Sequence, residues 1–393
     1  MYDFKTIVDR RNLGSSKYNL MLENNPDIEK DVIPLSVADA DFPIMPEIKE
    51  GLKNYLDEAV LGYAAPTEKY FDSIIKWMKK IHDYEIQKEW IVPIAGVVNG
   101  VMASIIAYTE ENDGVIIMEP VYYPFKNSIL NTNRQPVICE LKKDENNYYT
   151  IDFEKLEELA RDEKNKLLVL CSPHNPVGRV WTKEELQKIG EIAKRNNLII
   201  TSDEIWCDIV MPGYKHHMLH TVDDTFKEIS IIATAPSKTF NIAGMATSNM
   251  IIPNETLKEK FLNAMIKMNA THINILGFKA CELAYNKGER YLAEFIGLID
   301  NNQKMMKDAL EKIDGIKIRN IEGTYLQWVD FNYLNLENID LETFMQKEAK
   351  LFLDEGYIFG ESGSGFERFN IACPTEILKK HLERLINALK TRV

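Results

Sequence analysis

Apolar residues fall into two patterns along this chain: short unbroken runs, and longer stretches where they recur every three or four positions. The runs at residues 91–94, 114–118, 166–172, 198–202 and 230–235 are rich in Ile, Leu and Val and are closed by Gly, Pro, Ser or Asp. They predict short strands buried on both faces of a parallel sheet. Ile48, Leu52, Tyr55 and Leu56 predict a helix over 46–59, and Tyr70, Ile74, Trp77, Met78 and Ile81 one over 69–84. Residues 97–108 form a largely apolar helix entered through Gly96. Thr182, with Glu185 three residues on, reads as a capping box opening a helix over 182–196. That helix joins two predicted strands into a β-α-β unit, whose crossover should be right-handed.

The ends of the chain read differently. Residues 1–47 form an arm with a short strand and loop at 33–42. From about Glu289 the pattern becomes a long helix over 291–313, strands at 316–321 and 325–331, a helix over 341–355, a glycine-rich segment at 359–365, a strand at 366–372 and a helix from Thr375. Strands and helices are segregated here, as in an α+β domain, and 393 residues exceed what one compact core usually holds.

Charge and composition narrow the function classes. The net charge of −13 comes without a basic tract interleaved with aromatics, which argues against nucleic acid. The five cysteines are scattered with no C-x-x-C pair, so reduced thiols in a cytoplasmic protein are expected. The first residues hold no uninterrupted apolar segment for a secretory signal, and no later run is long enough to span a bilayer, so no membrane partner is expected.

Candidate chemistry gathers where the predicted strands end. Lys238 follows the 230–235 run, Asp203 closes the 198–202 run, Asn175 follows 166–172, and Tyr122 follows 114–118; Gly96 precedes a helix whose free N–H groups can hold a phosphate. Open α/β sheets carry ligands at this edge. An amine, a carboxylate, an amide, an aromatic plate and a phosphate cradle are the set that a pyridine aldehyde phosphate needs. His216, His217 and His220 lack the cysteine partners of a zinc motif, and no metal is expected. Gly360, Gly363 and Gly365 lack dinucleotide-loop spacing and are expected to let the backbone turn near a substrate.

The segments VADADF (37–42), GVVNGV (96–101), PVYYPF (120–125), CSPHNPVGRVW (171–181), SDEI (202–205), APSKTFNIAG (235–244), EGTYLQW (322–328) and FERFNIACP (366–374) resemble fold-type I pyridoxal-phosphate enzymes of the aminotransferase class I/II group. Within it they are most similar to the cystathionine β-lyase branch that includes MalY, PatB and cystalysin. The resemblance implies a large domain over 48–288, α/β with a mostly parallel seven-stranded-type sheet flanked by helices, and a smaller α+β domain from 1–47 and 289–393. It implies pyridoxal 5'-phosphate attached to Lys238, which also moves the substrate Cα proton. Asp203 would pair with the ring nitrogen, Asn175 with the ring oxygen, and Tyr122 would stack on the ring. Gly96, Val97, Val98 and Ser237 would hold the phosphate, with Tyr63 reaching it from the second subunit of a homodimer. Arg368, with Ala38, would hold the substrate carboxylate, and Tyr123 is the candidate donor to a leaving sulfur. Trp206 stands where the group has tyrosine or histidine, and an indole cannot exchange a proton near neutral pH; Asn99-Gly100 also departs from the pattern. The expected reaction is β-elimination from cystathionine or a cysteine-type substrate, with transamination, or cofactor binding without useful turnover, as the alternatives.

Overall fold

Each central strand buries both of its faces. In Asn165–Cys171, Leu168 and Leu170 join one hydrophobic core while Leu167 and Val169 join another; in Ser230–Thr234, Ile232 separates from Ile231 and Ala233 in the same way. Successive strand side chains point to opposite faces, so two cores require cover on both sides of the sheet. The computed structural model, in which residues 1–392 are described, shows a seven-stranded sheet ordered Ile91–Ile94, Ser248–Ile251, Ser230–Thr234, Ile199–Asp203, Asn165–Cys171, Gly114–Ile117, Gln135–Ile138. Ser248–Ile251 alone runs against the others.

Helix Val97–Tyr108 packs on Glu255–Lys267, and Glu68–His82 on Ile275–Lys287. Lys183–Arg195 begins with the expected box: Thr182 accepts from the Glu185 N–H, and the Glu185 carboxylate accepts from the Thr182 N–H. Gly100, the departure noted above, has a packing reason, since a Cβ there would sit 2.6 Å from Met250 Sδ.

A second sheet is antiparallel, ordered Lys317–Ile318, Leu326–Asp330, Phe366–Asn370, Asp354–Glu355. Helices Glu289–Leu310 and Thr375–Lys390 pack on each other beside it, and Asn302 donates to the Ile371 and Cys373 carbonyls just past the Phe366–Asn370 strand.

Two expectations give way. Residues 33–42 form no strand, although the Leu35 N–H donates to Phe352 and the Asn370 N–H donates to Leu35. Pro34 has no N–H to give, and Val37 turns the chain at φ 53°, so a ladder cannot propagate. Residues 341–355 are not one helix: Asn338–Thr343 is helical, Phe344–Glu348 is a π turn, Lys350 has φ 53°, and Asp354–Glu355 is a strand. Buried Leu351, Phe352 and Leu353 form an apolar run whose spacing fits either element. Among the described residues no helix is long and apolar enough to cross a membrane, and all five cysteines are buried and free.

Candidate active site

Cys171, Asp203 and Ala233 stand in register on three neighbouring parallel strands. Asp203 is the last residue of its strand, while Asn175 and Lys238 each lie four residues beyond theirs. The sheet order therefore brings Asn175, Asp203 and Lys238 to one cleft of about 210 Å³, also lined by Ala38, Gly96, Val97, Val98, Tyr122, Trp206 and Ser237.

Burial governs the charges on this wall. The Asp203 carboxyl accepts the Ile205 N–H at 3.1 Å, yet burial pushes it up to about 7. A cation seated against it would restore its ionised form. Burial, followed by the positive charge of Arg368, pushes the Lys238 amine down to about 8. Lys238 Nζ donates to the Ala38 carbonyl at 2.8 Å and sits 5.5 Å from the centre of the Trp206 ring. Trp206 is held edge-on against Tyr325, ring centres 4.7 Å apart.

At the other end of the cleft the helix Val97–Tyr108 starts without a side-chain cap. Gly96 has φ 91°, a conformation that favours glycine, and it brings the free N–H groups of the first turn to the cleft. An oxyanion finds donors and the positive end of a helix there.

A second group of residues, from the small sheet and the N-terminal segment, borders the cleft at Asn175 and Ala38. Arg368 is buried: Nη1 donates to Asn175 Oδ1 at 2.9 Å, Nη2 to Asp354 Oδ2 at 2.5 Å, Nε has no partner, and the guanidinium lies 4.6 Å from the centre of the Phe359 ring. The 37–39 loop is held from several sides. The Val37 N–H donates to Asp354 Oδ2 at 2.9 Å, and Asn370 Nδ2 donates to the Val37 and Asp39 carbonyls at 2.7 Å each. Tyr325 adds its hydroxyl to the Ala38 carbonyl at 2.9 Å. Arg10 and Lys17 pair with Asp39 and with buried Asp41. A β-branched residue at positive φ costs about 1–3 kcal/mol. Charge-assisted hydrogen bonds contribute about 1.5–3 kcal/mol each, so these holds are sufficient to keep Val37 in place.

The remaining candidates sit as follows. Tyr123 is partly exposed, its ring 5.5 Å from Tyr122 and 6.2 Å from Phe359. Tyr63 is fully exposed outside this cleft, beside His272. The histidines diverge, His216 to Glu204 and His220 to Tyr84 and Ser230, and so do not form one site. A His82, Cys207 and Asp208 group is close-set, but Asp208 is already engaged by His82, Trp77 and Thr239. Gly360, at φ 127°, packs against Glu119 rather than opening on the cleft. Asp354 escaped the sequence reading: it is one acid among many, and only the register that sets it opposite Arg368 reveals it.

The arrangement fits a flat, aromatic, anionic group with an electrophilic carbonyl: free helix amides for the anion, a buried carboxyl for a ring cation, Tyr122 for the ring and Lys238 for the carbonyl. Comparisons with known proteins agree. The sequence profile described as "Aminotransferase class I and II" matches residues 30–388. The chain is 35% identical over 360 residues to cystathionine beta-lyase PatB of Bacillus subtilis, covering 91% of this chain and 93% of that one. Cystalysin from Treponema denticola, whose structure contains pyridoxal 5'-phosphate, superposes with a TM-score of 0.98 at 49% identity, covering 100% of this chain and 99% of that one. The PLP-bound C–S lyase of Staphylococcus hominis superposes with a TM-score of 0.91 at 30% identity, covering 99% and 98%.

Proposed function

The chain belongs to the aminotransferase class I and II family, and from that premise we propose that it is a pyridoxal 5'-phosphate-dependent carbon–sulfur β-lyase acting on L-cystathionine or a similar sulfur amino acid. The observation that carries this reading is the convergence of Lys238, Asp203 and Asn175 on one cleft, with Arg368 bonded to Asn175 at its border. When bound, the cofactor supplies an electron sink for negative charge developing at the substrate Cα.

The chain's own groups do the rest. Lys238 would attach the cofactor through its amine; with that amine pushed down to about 8, a usable fraction is neutral near physiological pH. Lys238 Nζ takes the Cα proton. Asp203 would keep the ring nitrogen protonated, Asn175 would donate to the ring oxygen, and Tyr122 would cover the ring face. Gly96, Val97, Val98 and Ser237 would hold the phosphate, completed by Tyr63 from a second copy of the chain. Exposed Val60, Leu61 and Tyr63 give that copy an apolar surface to cover, which supports a homodimer. Arg368 and Ala38 hold the substrate carboxylate, Arg368 through N–H groups that the protein leaves free.

Loss of the thiolate from Cβ, with Tyr123 as donor to the departing sulfur, leaves the Cα–H electron pair as a carbon–carbon double bond. Water then converts the released unsaturated amine to pyruvate and ammonia. Trp206 cannot relay a proton, so proton movement at Cα falls to Lys238 alone. The large domain over 48–288, the small domain from the two termini and a cytoplasmic setting complete this reading, the last supported by five free cysteines.

The discriminating experiment is turnover of L-cystathionine by the purified holoenzyme without any 2-oxo acid. Sustained release of pyruvate, ammonia and thiol is expected. A single turnover that resumes only when a 2-oxo acid is added would identify an aminotransferase instead.

A further inference from the structure

Asp354 Oδ2 is shared. One oxygen accepts both from Arg368 Nη2, at 2.5 Å, and from the Val37 N–H, at 2.9 Å. The first donor belongs to the proposed carboxylate clamp. The second belongs to the loop whose Ala38 carbonyl accepts from Lys238 Nζ at 2.8 Å. Arg368 and Asn370 lie two residues apart on one strand and so on the same face; the first acts on Val37 through Asp354, and the second binds the Val37 carbonyl directly.

We propose that Asp354 is a positioning residue that couples the grip of Arg368 on the substrate carboxylate to the 37–39 loop, and through Ala38 to the amine of Lys238. This rests on the reading of Arg368 as the clamp. A guanidinium has five N–H donors, and Asn175 and Asp354 account for two, so Asp354 anchors the arginine without displacing a substrate carboxylate. When the guanidinium tightens on that carboxylate, the shared oxygen transmits the shift to the Val37 N–H. Val37 makes the loop responsive: at φ 53° a β-branched residue is held away from its preferred backbone, so weakening one hold gives the loop a direction in which to move.

The test is hydrogen exchange in the backbone of residues 35–41, followed by mass spectrometry on the holoenzyme. Two probes are used: glycine, which has a carboxylate but nothing at Cβ to expel, and methylamine, which lacks the carboxylate. In the wild type, glycine is expected to change exchange of this segment about tenfold, the scale of one charge-assisted hydrogen bond, while methylamine leaves it unchanged. Asp354→Ala abolishes the glycine response and raises KM for L-cystathionine about tenfold; Asp354→Asn, which keeps an acceptor oxygen, retains most of both. Absence of a glycine-specific response in the wild type overturns the proposal without recourse to any variant, as does a response that survives Asp354→Ala. Arg368→Lys separates the two levels. If it leaves glycine affinity intact, the clamp reading is wrong; if it weakens glycine while Asp354→Ala keeps the loop response, the clamp stands and the coupling falls.

Discussion

Asp203 and Lys238 reach the cleft from strands hydrogen-bonded on both edges, whereas Arg368 lies beside it, held by Asn175, Asp354 and Phe359, drawn from three other segments. On the first wall the backbone ladder does the positioning, and the cost is desolvation, seen in a carboxyl pushed up and an amine pushed down. On the second wall side chains position one another, and the cost is backbone strain at Val37. Reactive groups whose protonation must be tuned sit on the rigid, buried wall. The group that must close on a substrate sits where partners can adjust.

Substitutions that break the sheet wall should have the largest effects. Lys238→Ala should lower pyruvate formation by more than about a thousandfold, measured by coupled assay, because attachment and proton removal are lost together. Asp203→Asn should follow at about a hundredfold. It also has a signature in the cofactor-free protein. With a folded value near 7 against an ordinary 3.8, native Asp203 binds a proton that the unfolded chain has released. Stability of the cofactor-free wild type should therefore fall as pH rises between those values, and Asp203→Asn should flatten that slope in denaturant titrations.

The second wall predicts a different pattern. Arg368→Lys should raise KM about thirtyfold with a smaller change in kcat, since an ammonium cannot grip a carboxylate bidentately. Because Arg368 also depresses the Lys238 amine, cofactor attachment by stopped-flow absorbance should accelerate about tenfold from pH 7 to 9 in the wild type, and the midpoint should move to higher pH in Arg368→Gln. The smallest effect lies outside both walls. Thr182→Ala removes the capping box and should cost about 1 kcal/mol in thermal unfolding with kcat unchanged.

The sheet wall was legible from sequence because its rules are local. An apolar run ends at a turn residue, and the residue beyond it falls at the carboxyl edge; Thr182 and Glu185 announced their helix in the same way. The motifs then assigned roles to Lys238, Asp203 and Asn175. The loop wall was only half legible. Arg368 and Ala38 came from the resemblance, but Asp354 is visible only through strand register, and the turn at Val37 contradicts the local preference of valine. Residues 33–42 and 341–355 depart from the spacing because the chain turns inside each, at Val37 and at Lys350, both at φ 53°.

The most direct measurement is reduction of the cofactor-loaded protein with borohydride, followed by peptide mapping. The account predicts the pyridoxyl label on Lys238, in the peptide containing Ser237 and Thr239. A label on any other lysine, or none at all, would contradict it.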